Sequence, residues 1–209
     1  MGAIVNIATF SVLIPLLAGL IRFKRGGQVS YILFGYVVVS ALVDAGGLIT
    51  ASKGINNNWM SHVFVPLEYL FFSSVYALAV PSERWKKAVY VSFWLFLGFC
   101  VLNVFLWEPL DKFNSKARVL ESALLIAMVL LYFYSKLKQR EEQNFLTEPL
   151  FLFSSAILLY FSGTVVIFSF LEALMQESME LARSFMNVMR VLLIMLNVVI
   201  AIVLLKDKK

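Results

Sequence analysis

Asp44, Glu68, Glu121 and Arg190 are charged residues set deep within apolar stretches of this 209-residue chain. A charge in hydrocarbon costs about 2.5–3.5 kcal/mol on insertion scales, so such residues turn inward and either pair or bind something. A buried carboxylate can exchange a proton, accept one as a general base or hold a cation, and a buried guanidinium can grip a phosphate or carboxylate. Two further residue types widen the choice. His62 stands six positions before Glu68, so the two point roughly 120° apart and do not form a helical i, i+4 ligand pair. In the last apolar stretch, Arg183, Asn187, Arg190 and Asn197 share one narrow face of a helix, where they could be interhelical glue or line a pocket.

The elements that carry these residues are long and apolar. Hydrophobic residues make up 61% of the chain and charged residues 15%, against about 25% charged in an ordinary soluble domain. The apolar residues fall in blocks of about 20, each able to cross a hydrocarbon core of roughly 30 Å at 1.5 Å per residue. Seven spans are expected, near 3–22, 29–50, 59–80, 86–107, 115–135, 148–170 and 181–205. The fold class is therefore all-α, a bundle of seven transmembrane helices in one polytopic domain covering residues 1–209. The first block has no basic leader and is followed by Phe23, Lys24 and Arg25 rather than a small-residue cleavage site, so it is kept as a span.

Seven spans place the termini on opposite sides. The turns with Arg22, Lys24 and Arg25, with Arg84, Lys86 and Lys87, and with Lys136, Lys138 and Arg140, together with Lys206, Lys208 and Lys209, hold 12 of the 18 basic residues on one face. The positive-inside rule makes that face cytoplasmic, giving an external N-terminus and a cytoplasmic C-terminus. Trp59, Trp85 and Trp107 fall at span ends, where an indole prefers the interface, and Trp94 lies deeper. Basic residues confined to short turns suit a membrane surface and give no patch for nucleic acid. One histidine and one cysteine, Cys100, exclude the usual His/Cys metal clusters and any intramolecular disulfide. Neither a metal nor a cofactor is expected.

In this arrangement Asp44, Glu68, Glu121 and Arg190 all lie roughly 9–15 Å below the outer surface. Pro66 removes its own N–H and crowds the carbonyl of residue 62, so the third span should kink beside Glu68. Glu68 and Arg190 are expected to pair across the bundle, and Glu121 has a local alternative in Arg118, one turn away. Asp44 is left with no cation, only Ser40 four residues before it. An acid in that position is either protonated or holds a cation. Ser155, Ser162 and Ser169, with Gly163, suggest a close helix contact in the sixth span. Glu172, Glu177 and Glu180 read as a solvated acidic turn before the seventh.

Residues 55–69 carry an asparagine-rich turn, Asn56-Asn57-Asn58, then Trp59 and His62 in W-x-x-H spacing, and Pro66-Leu67-Glu68-Tyr69. In these features the chain resembles small uncharacterised seven-helix membrane proteins of bacteria. The resemblance implies a bacterial cytoplasmic membrane and a Trp59, His62, Glu68 constellation, and carries no reaction with it. A retinal protein would need a lysine in the seventh span, and 181–205 contains none. A three-plus-one-plus-three sugar transporter would fit the span count, without a proline-glutamine signature or similarity between the halves.

The leading expectation is a binding or sensor-type module with an outward-facing intramembrane pocket lined by Asp44, His62, Glu68, Glu121, Asn187 and Arg190. Its partners would be the bilayer, a small ligand or lipid headgroup, or a partner helix. The alternative is a proton- or ion-coupled transporter using Asp44 or Glu68, and after it an intramembrane lipid-modifying enzyme with Glu68 or Asp44 as base and Arg190 as anion holder. No nucleophile triad, metal motif or phosphate loop supports catalysis.

Overall fold

The computed structural model describes residues 3–80, 82–138 and 148–206, apart from the side chain of Lys24. Within them lie eight α-helices: α1 (Ala3–Ser11), α2 (Leu13–Arg22), α3 (Gln28–Ser52), α4 (Asn58–Ala79), α5 (Glu83–Leu106), α6 (Ser115–Lys138), α7 (Pro149–Glu177) and α8 (Met179–Lys206). Taken with α1 and α2 as one span, they give seven segments long and apolar enough to cross a membrane, so the chain is a multi-pass membrane protein by helix length and hydropathy. Of the basic residues assigned to one face, Arg140, Lys208 and Lys209 lie outside the described residues.

The first span is broken where a single helix is expected. Val12 separates α1 from α2, and Pro15, three residues on, has no N–H to offer the carbonyl of Ser11. The same chemistry at Pro66 leaves α4 assigned as one helix from end to end. Between α3 and α4, Gly54 takes φ +66°, with Ile55 N–H bonded to the Thr50 carbonyl and Gly54 N–H to that of Ala51. This is a Schellman stop, which needs a residue tolerant of the left-handed region.

The acidic turn is a correction. Leu171 to Glu177 continue α7 as helix, since this stretch has neither glycine nor proline, and only Ser178 separates α7 from α8. Glu172 and Glu177 thus ride on the end of α7, while Glu180 opens α8, where a negative charge suits the helix N-terminus.

The spans close into a ring in which α2 packs on α3, α3 on α4, α4 on α6, α6 on α7, α7 on α8, and α8 on α1 and α2; α5 sits outside against α4 and α6. Leu95 and Phe105 of α5 are among the most exposed apolar residues, as expected for side chains facing lipid. Alternation of direction leaves two ends: an N-terminal face, with the start of α1, the 53–57 turn and the 107–114 loop, and a C-terminal face, with the end of α8. At the latter, Arg22 donates to the carbonyl of Leu205 (2.8 Å), tying the first span to the last. Gly163 lets α7 approach α8 closely, since a Cβ there would meet Leu192.

Candidate functional site

Toward the N-terminal face the ring does not close. A cavity of about 450 Å³ is walled by α3, α4, α7 and α8 and by residues 113–118 at the start of α6, with Thr9 of α1 at one side. Along α3 the lining residues are Tyr36, Ser40, Asp44, Gly47 and Ala51 with Val43 and Leu48, a helical stripe of spacing three and four. Glu68 and Phe64 enter from α4, Arg118 from α6, Tyr160 and Phe168 from α7.

A buried charge cluster forms one wall. Arg118 is ion-paired through Nη1 with Glu68 Oε2 and donates to Glu121 Oε2 at 3.0 Å, while Tyr36 donates its hydroxyl proton to Glu68 Oε1 at 3.0 Å. The guanidinium also lies 5.7 Å from the centre of the Phe64 ring, within range of a cation–π contact. Glu68 and Glu121 are 1% and 0% exposed, so the cluster relies on its own pairs rather than on water. One guanidinium serves two carboxyls, and Glu121 Oε1 is left with no partner.

This overturns the expected pairing of Glu68 with Arg190. Arg190 donates to Asn187 Oδ1 (2.6 Å), one turn back on its own helix, and neither residue lines the cavity. The reason is rotational. Met186, Met189, Leu193 and Asn197 of α8 face the cavity, and the stripe of Arg183, Asn187 and Arg190 lies roughly 80° around the helix from them. Of the stripe only Asn197 reaches in, donating to Ser11 Oγ at 2.7 Å. Arg118, read from the sequence as the local partner of Glu121, is in addition the partner of Glu68.

His62 is also placed differently from expectation. Its Nε2 donates to the carbonyl of Lys112 (3.2 Å), Asn56 and Asn58 donate to that of Asp111 (3.0 and 2.7 Å), and Asn114 donates to that of Ser61 (3.3 Å). The 55–69 motif therefore holds down the 107–114 loop beside the cavity. From the end of α5, Asn103 donates to Glu108 Oε2 (2.9 Å) and Asn114 Oδ1 (3.1 Å) of the same loop. Of the six residues proposed for the pocket, Asp44 and Glu68 line it and Glu121 stands behind Arg118, while His62, Asn187 and Arg190 do not line it. Among the described residues, no three His, Cys, Asp or Glu side chains group as a metal site would need.

Tyr36, which lines the cavity and donates to Glu68, is absent from the residues expected there. The signal was there, because Tyr36, Ser40 and Asp44 repeat every four residues and so share one face. The chain matches no protein-family model, no curated protein and no solved structure.

Proposed function

We propose that this protein is a membrane-embedded binding module whose cavity receives a small ligand or lipid headgroup from outside the cell. The observation that carries the reading is the cavity itself: its volume lies in the range of small-molecule sites, and its walls mix apolar side chains with polar groups. The orientation rests on the basic turns, which favour a cytoplasmic C-terminal face and hence an external cavity, in the cytoplasmic membrane of a bacterium.

Transport is the alternative, with Asp44 or Glu68 exchanging a proton. A path across the membrane needs polar steps on both sides. One or two turns beyond the lining residues Tyr36, Glu68 and Tyr160 come Leu33, Phe72 and Phe153, all fully buried and none charged. Against an intramembrane enzyme stands the position of Arg190, its intended anion holder, outside the cavity lining.

The test uses Ser40→Cys in a Cys100→Ala background, probed with a membrane-impermeant thiol reagent from either side. Labelling from outside only is expected. Labelling from the cytoplasm only would reverse the orientation, and labelling from both sides would favour transport. Native mass spectrometry of the intact protein against Ser40→Trp, which fills the cavity, should then show a bound small molecule lost in the variant. Equal occupancy in both, or bare protein in both, would overturn the binding reading.

A further inference from the structure

We propose that the cavity is built for a monovalent organic cation, an ammonium group on an apolar body, with Asp44 as its counter-ion; the proposal rests on the binding reading above and names its ligand class. The charged residues of the lining are Asp44, Glu68 and Arg118. Arg118 is committed to Glu68 and Glu121 and already leaves one oxygen of Glu121 unpartnered, so it has nothing to spare for a third carboxyl. Asp44 lines the cavity from α3 and has no hydrogen bond or ion pair among the described residues. With Glu68 ion-paired to Arg118, the ionised Asp44 leaves the lining with a formal surplus of one negative charge.

The rest of the wall decides what kind of positive charge fits. A divalent ion such as calcium takes six to eight oxygen ligands, and Asp44 supplies the one uncommitted carboxylate in the lining. An anion would meet the surplus negative charge. A bare monovalent ion would neutralise Asp44 but leave most of the 450 Å³ unfilled. An organic ammonium satisfies both terms: its charge pairs with Asp44, and its carbon body packs on Phe168, Met186, Met189 and Leu193.

The experiment compares three probes of one shape on the full-length protein in detergent at pH 7: 4-phenylbutylamine as the cation, 4-phenylbutanol as the neutral body and 4-phenylbutyrate as the anion. Thermal unfolding midpoints are followed against probe concentration. The amine should raise the midpoint saturably, with an affinity at least tenfold above the alcohol, and the butyrate should give no shift. Asp44→Asn should remove the advantage of the amine and leave the alcohol unchanged. The ranking of probes on the native protein tests the proposal even if that variant does not fold. Equal affinity of amine and alcohol, each lost in Ser40→Trp, would overturn the charge assignment while leaving the binding reading intact. No saturable shift with any probe would overturn both.

Discussion

At its N-terminal face the helix ring holds a 450 Å³ cavity walled by charge, hydroxyl and amide groups among apolar side chains, whereas toward the C-terminal face the same helices close on aromatic rings. There Phe72 and Phe153 meet at 5.6 Å between ring centres, and Tyr76 and Tyr132 at 6.1 Å. The polar groups of this half serve packing: Trp85 Nε1 donates to the Tyr76 carbonyl at 2.8 Å, and the Tyr76 hydroxyl donates to Ser154 Oγ at 3.3 Å. Lipid is as apolar as a leucine side chain, so the bundle cannot be held by exclusion from water and depends on close packing and internal hydrogen bonds. The aromatic half uses mainly the first. The other half gives up packing for a cavity and holds its walls with an ion-pair cluster and a clamped loop.

The largest effect that would sharpen this contrast is expected at Arg118. Arg118→Met leaves Glu68 and Glu121 buried without a cation and should cost about 3–5 kcal/mol in unfolding experiments in detergent. In a double-mutant cycle with Glu68→Gln, the two losses should sum to more than the double variant loses. Arg190→Met combined with Glu68→Gln should instead be additive. Strict additivity for Arg118 and Glu68 would break the assignment of the cluster.

A comparable or slightly smaller loss, about 3 kcal/mol, is expected for Phe153→Ala in the aromatic half, from lost contacts and the void left behind. Its signature separates the two halves, since labelling of Ser40→Cys should not change. A cavity labelling rate that moved with Phe153 would mean that the halves are coupled rather than separate.

The smallest effect belongs to the loop clamp. Asn58→Ala removes one hydrogen bond to the Asp111 carbonyl and should cost about 1 kcal/mol, with faster amide hydrogen exchange confined to residues 107–114. Exchange that rose throughout α4 and α6 instead would make the clamp part of the global core.

The number of spans and their nature were legible in the sequence, because hydrocarbon imposes length and apolarity on each segment independently of its neighbours. So was the concentration of buried charge in one half of the bundle, and the local i, i+3 pair of Arg118 with Glu121, which needs only helical geometry. The end of α7 is not legible from hydropathy, because good helix formers continue the helix beyond the apolar stretch into charged residues that by composition suit a turn. What the tertiary structure decided was rotation and neighbourhood. Depth is a property of one helix, and from depth Arg190 and Glu68 looked matched. Pairing depends on which way each helix is turned and which helix stands beside it, and these follow from the packing of all seven spans together. That packing brings Arg118 between two acids, turns Arg190 toward Asn187, sends His62 to the carbonyl of Lys112, and leaves Asp44 facing open space.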